Sequence, residues 1–126
     1  MDVESLQREL AAYRSELRGL EAELASLEAF RAEVCHDRAV IEEEVGERQC
    51  AVDTILSKTE TGAAQIYANA MRGELHNTLA LKIWPEFQLV DAVIVRAMVE
   101  VSAEIALRHS LMSATSTAIQ NSIRRC

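Results

Sequence analysis

Glu33 and His36 stand three residues apart in a segment rich in helix formers. That is the Glu-x-x-His spacing with which helical di-metal carboxylate sites place two ligands on one face. Such a site takes a second pair and two further glutamates. The remaining histidines miss the spacing, because Glu74 and His76 are two residues apart and Glu104 and His109 are five apart. Cys35, His36 and Cys50 do not have zinc-ligand spacing either. No Gly-rich phosphate loop, nucleophile elbow or Ser/His/Asp grouping can be assembled. The chemistry-bearing side chains therefore read as helix-surface residues. No catalytic, cofactor-binding or metal-ligating residue is assigned, no cofactor is expected, and the chain is expected not to be an enzyme.

What the sequence does carry is apolar side chains at helical spacing. With 126 residues, 26% charged and 49% hydrophobic, it is long enough for one modest domain. One proline, four glycines and 4% aromatics leave little for a turn-rich β architecture, while Ala, Leu, Glu and Arg favour helix. The expected fold class is all-α: an N-terminal coiled-coil helix followed by a C-terminal αα-hairpin that completes an oligomeric helical bundle. The division expected is 1–58 for the arm and 59–126 for the hairpin. Ser57 and Glu60 have capping-box spacing there, and Gly62 permits a turn.

In the arm, Asp2 can cap a helix starting at Val3. Val3, Leu10, Leu17 and Leu24 then fall at heptad position a, and Leu6, Tyr13, Leu20 and Leu27 at d. The flanking g row is Asp2, Glu9, Glu16 and Glu23, and the e row Gln7, Arg14, Glu21 and Glu28. Self-pairing in parallel sets Glu16 against Glu21 and Glu23 against Glu28, and antiparallel self-pairing sets acid against acid throughout. A different chain with basic residues flanking its seam is the partner this favours. The back of the helix is small: Ala11, Ala12, Ser15, Gly19, Ala22, Ala25 and Ser26 suit either a third helix or a solvated surface. After Leu27 the phase slips, because Phe30 follows at three where four is due, a stammer. Val34, Ile41, Val45, Val52 and Ile55 then resume a thinner stripe, with Asp37 and Arg48 intruding and Gly46 weakening it.

Beyond residue 62, Ala64, Tyr67, Met71, Leu75 and Leu79 line one side of a second helix, which is expected to end near Ile83 because Pro85 pushes Trp84 out of the α region. The organising helix then starts at about Pro85. Phe87, Ile94, Met98, Val101, Ile105, Met112 and Ile119 form one apolar stripe along it; Leu89, Val93, Ala103, Leu107, Leu111, Ala114 and Ala118 form a second, nearly opposite. Both need protein cover. The expected partner interface is thus Leu6, Leu10, Tyr13, Leu17, Leu20, Leu24 and Leu27 in the arm together with the first stripe. Arg108 sits on that stripe, where it either meets a neighbour's acid or fixes register.

Net charge is uneven: residues 1–60 hold 15 acids and 7 bases, −8, and residues 61–126 hold 5 acids and 6 bases, +1. An acidic arm disfavours nucleic acid and anionic membrane. Charges at Asp91, Arg96, Glu100, Glu104 and Arg108 exclude a membrane span in the last helix. An odd cysteine count, Cys35, Cys50 and Cys126, and a polar N-terminus without a signal-like apolar run point to a reducing intracellular compartment, cytoplasmic or nuclear. The function these features imply is a non-enzymatic assembly subunit of a larger complex, of the cytoskeletal, kinetochore or tethering kind. The alternative is an adapter or chaperone-like module that presents a helical groove to a client helix.

Overall fold

The computed structural model describes residues 2–58 and 62–125, and among them every regular element is helical. Helix α1 spans Val3–Lys58 and α2 spans Gly62–Thr78; a π-helical turn occupies Leu79–Ile83, and α3 runs Trp84–Arg124. The all-α fold expected from composition is therefore present. Asp2 caps α1 as anticipated: its Oδ1 accepts the Ser5 N–H at 2.7 Å, which holds the carboxyl below its usual pKa. The proposed capping partner Glu60 lies outside the described residues, as does Cys126.

The described chain forms two compact units. One comprises Met1–Phe30 with Ile94–Cys126, the other Arg31–Val93, so each draws on both sides of the 58/59 division. The second unit is a helical hairpin. Asp53 of α1 pairs with Arg72 of α2, and farther from the turn Arg31 of α1 pairs with Asp91 of α3. Its two limbs are thus antiparallel, joined through residues 59–61. In the first unit Glu16 of α1 meets Arg108 of α3, while Gln7, Leu10 and Arg14 lie beside Ser116, Ile119 and Gln120. Rising numbers on one helix meet falling numbers on the other, so this pair is antiparallel too.

Burial along α1 follows a heptad ladder that keeps its phase past Phe30 and thins at the exposed d positions Arg48 and Ile55. Leu6 and Leu17 are buried, and Val3, Leu10, Tyr13, Leu20, Leu24 and Leu27 half-buried. The ladder continues through Arg31, Val34, Arg38, Ile41 and Val45 to buried Val52. The expected stammer is therefore absent. Phe30 is 50% exposed, and the a positions due after Leu24 are filled by Arg31 and Arg38, seven and fourteen residues on. An arginine can hold a seam position because its long apolar stem packs while its head finds a partner. The small residues Ala11, Ala12, Ser15, Gly19, Ala22, Ala25 and Ser26 are all exposed, as is Ile55.

On the returning strand of helix the first stripe faces inward. Ile94 and Val101 are buried, and Phe87, Met98, Ile105, Met112 and Ile119 are half-buried; Thr115, missed in the sequence, is buried among them. In α2 the inward residues are Ala64, Ala68 and Leu75, followed by Leu79 of the π turn, with Ala68 at 2% exposure the most enclosed side chain of the core. Tyr67, expected on this side, points out.

The sequence places a break at Trp84–Pro85, and the structure corrects it. Thr78 and Trp84, on either side of the π turn, both have helical dihedrals, and the Trp84 N–H donates to the Leu79 carbonyl five residues back. Proline lacks an N–H and its ring crowds the carbonyl four residues earlier, here Leu81. A π turn just before it widens the helix where that clash would fall, so the chain bends its hydrogen bonding instead of ending. The same turn resets the inward phase. Seven residues beyond Leu75 stands Lys82, which is exposed, whereas Ile83 and Trp84 take the seam. The chain accordingly does not turn at Pro85, and α2, the π turn and α3 form one continuous limb.

Amide hydrogen exchange checks this continuity. The Trp84 and Phe87 amides should be protected to within about tenfold of the Ala70 amide, as expected within one hydrogen-bonded helix. Exchange at the unprotected rate at these two positions would restore the turn at Pro85.

Candidate protein-binding surfaces

Three polar contacts fix how the limbs meet, and each comes from a seam position. The Arg31 Nε donates to Asp91 Oδ1 at 2.8 Å and its Nη2 to Oδ2 at 3.3 Å, a bidentate pair. The guanidinium of Arg38 lies over the Trp84 ring, 4.8 Å from its centroid, and Trp84 in turn leans on Phe87 at 6.3 Å. Arg108 donates from Nε to Glu16 at 2.8 Å and from Nη1 to Glu104 at 2.9 Å. Arg108 thus does what its place on the stripe required, and the acid it meets is the chain's own.

These contacts set the local electrostatics. The hydrogen bond from Arg31 above all, with its charge and that of Arg38, holds the Asp91 carboxyl below the ordinary carboxylate range against the opposing effect of desolvation. Asp91 in return raises Arg31, and Glu16 above all raises Arg108. The Tyr13 hydroxyl, at a d position, donates to Glu9 at 2.8 Å, and that bond pushes the phenol upward. No buried side-chain polar atom among the described residues lacks a partner.

The acidic rows of α1 are accommodated by neutrality. Flanking the α3 stripe stand Val95, Ser102, His109 and Ser116 on one side and Ala97, Glu104, Leu111 and Ala118 on the other, with Glu104 the one acid among them. Glu9, Glu16 and Glu23 therefore face few like charges from the returning helix, and Arg108 answers one of them. The arm residues assigned to a partner, Leu6, Leu10, Tyr13, Leu17, Leu20, Leu24 and Leu27, lie in one seam with Ile94, Met98, Val101, Ile105, Met112 and Ile119; Phe87 faces the seam of the hairpin unit. Both halves of that interface come from one chain.

The second stripe is where cover is missing. Leu89 is 68% exposed, Val93 62% and Leu107 48%, with Ala103 and Ala114 also exposed; only Leu111 and Ala118 are half-buried. In the hairpin unit the uncovered apolar surface extends back along α2 to Ile66 and Tyr67 and across the π turn to Leu81. A separate groove of about 600 Å³ opens between the limbs, walled by Ile41, Val45, Val52, Met71, Leu75 and Leu79. Glu44, Arg48 and Glu74 stand at its margin.

The residues that first suggested metal chemistry stay apart. Glu33, His36 and Asp37 edge a shallow depression on α1, and among the described residues no group of three or more His, Cys, Asp or Glu converges. Cys35 and Cys50 are free and exposed. Among the described residues no helix is long and apolar enough to cross a membrane. The chain matches no family model, no curated protein and no solved structure, so geometry alone carries the functional reading.

The Asp91 shift sets a pH dependence. A carboxylate whose folded pKa is depressed stabilises the fold above its unfolded value and loses that contribution as pH falls through the folded value. Asp91→Asn should therefore lower Tm at neutral pH, and the gap to wild type should close by about pH 2. A gap of constant size across that range would show that the Arg31 pair is not what Asp91 contributes.

Proposed function

We propose that this protein is a non-enzymatic assembly subunit, a helical hairpin that associates with other protein through the apolar surface its own two limbs leave uncovered. The observation that carries the reading is the row Ile66, Leu81, Leu89 and Val93, each more than half exposed beside a seam that is already filled. A two-helix layer buries one stripe of each helix, and the second stripe of α3 has no third helix to receive it. The magnitude supports a partner. A folded monomer of 14.0 kDa is expected to expose about 6,700 Å², and this chain exposes 9060 Å². The difference, about 2,400 Å², is of the order that obligate interfaces bury.

Membership of a larger complex follows from the same reading. The exposed acids Glu42, Glu43 and Glu47 on α1 suit a basic partner chain, which would meet the outside of the hairpin because α3 occupies the arm's seam. A second reading, an adapter that takes a client's amphipathic helix, has its own support in the groove between α1 and α2. The two differ in stoichiometry. An assembly subunit exceeds the mass of one chain by sedimentation or self-associates with its stated partner, whereas an adapter is folded and monodisperse at 14.0 kDa without its client.

Two variants separate surface from seam. Leu89→Asp with Val93→Asp should reduce the sedimenting mass to one chain while the far-ultraviolet helix signal is kept. Ile105→Asp should lose the helix signal itself, since a charge there enters the intrachain seam at a cost of about 2 kcal/mol or more. Unchanged mass in the double variant would remove this surface from the assembly.

A further inference from the structure

The uncovered face of α2 and the start of α3 has an internal order that identifies what covers it. Counting from Thr78, Tyr67 and Leu89 lie eleven residues on either side, and Ala63 and Val93 fifteen. Glu74 and Lys82 lie four residues on either side. In an antiparallel contact about a two-fold axis, each residue meets the one at equal distance on the other side. We propose that this face binds a second copy of the chain, antiparallel, with the two-fold axis beside Thr78. This rests on the assembly reading and names its partner.

The register makes the face self-complementary. Tyr67 of each copy meets Leu89 of the other and Ala63 meets Val93, so exposed apolar residues at both ends are covered twice over. Glu74 of each copy meets Lys82 of the other, giving two opposite-charge contacts flanking the axis. At the centre a depression of about 450 Å³ is bordered by Ala70, Gly73, Glu74 and Asn77, at spacings of three, four and seven, which is the outline of a hole for a knob from a facing helix. The space beside Gly73 is open, with nothing within 4 Å of where a Cβ would stand. Leu81 supplies the knob: it is 72% exposed on the border of the same depression, and its mate in the other copy falls between Gly73 and Asn77.

Long-range charge favours the same arrangement. Residues 1–60 carry −8 and residues 61–126 carry +1. Within the hairpin unit, residues 31–58 hold 7 acids and 4 bases, −3, and residues 62–93 hold 3 acids and 2 bases, −1. Contact through α2 and the start of α3 therefore brings less like charge together than contact through α1 would. The excess surface of about 2,400 Å² per chain is enough for an interface of the homodimer class.

The test uses the full chain with Cys35, Cys50 and Cys126 replaced by serine. Asn77→Cys, next to the axis, should oxidise to a covalent dimer of twice the single-chain mass. Tyr67→Cys should give none by itself, and Tyr67→Cys with Leu89→Cys should give one. Glu74→Lys should weaken dimerisation roughly five- to tenfold by turning both contacts repulsive, and adding Lys82→Glu should restore it; helix content by circular dichroism accompanies each variant. A dimer in which Tyr67→Cys links to itself, or in which the charge exchange fails to rescue, overturns the antiparallel register and leaves the assembly reading standing. A chain that stays at single-chain mass at high concentration yet binds a basic partner overturns the second copy alone. One that stays single and binds nothing overturns both.

Discussion

Each unit pairs two helical segments along a single seam, and the rest of that unit follows from how its seam is closed. Apolar packing alone would tolerate a slip of one heptad, because Leu, Ile and Val at a and d look alike from one turn to the next. The seam arginines of the hairpin unit do not tolerate it. Arg31 must find Asp91 and Arg38 must find Trp84, each from its own place in the repeat. Moved by seven residues one way, Arg38 would take Asp91 and leave Arg31 beside Met98; moved the other way, Arg31 would take Trp84 and leave Arg38 beside Asn77. Either slip loses one of the hairpin unit's two pairings, while Arg108 would still meet Glu23 or Glu9. The Arg31 pair is half exposed and its individual contribution is modest; its importance lies in selecting the register.

That choice determines which surfaces are left over. Once α1 is committed to the inward stripe of α3, the opposite stripe has nothing to pack on within the chain. The π turn at Leu79–Ile83 matters here, because it lets the second limb pass Pro85 without stopping and turns Lys82 out of the seam. A limb broken at Pro85 would have folded its short half against the long helix and covered part of that second stripe. Continuity of the limb and exposure of Leu89 and Val93 are thus consequences of one another.

Much of this was legible in the residues. The arm's a and d positions, the inward stripe of α3 and the helix boundary near Lys58 could all be read from spacing, since a 3.6-residue period marks its own buried face. Two features could not. Counting only apolar residues made Phe30 look like a slip in phase, whereas positions every seven residues from Leu24 reach Arg31 and Arg38, whose role depends on partners sixty and forty-six residues away. Proline in mid-helix reads locally as a stop, and nothing near it in the sequence announces the wider turn that absorbs it. The missing knowledge in both cases was tertiary: Asp91 and Trp84 on the far limb explain the arginines, and the far limb's packing holds α2 and α3 in line. The residues expected at a partner interface are buried or half-buried, and spacing does not say whether a seam is closed by the same chain or by another.

The most direct test is therefore whether the seam closes within one molecule. Spin labels at exposed Arg14 of α1 and exposed Ser110 of α3, in a cysteine-free background, should be separated by little more than the ~10 Å between packed helix axes plus the label arms. The dipolar coupling should be unchanged when labelled chain is diluted by refolding with a large excess of unlabelled chain. A coupling that disappears on such dilution would place the two halves of the seam on different molecules and contradict the account.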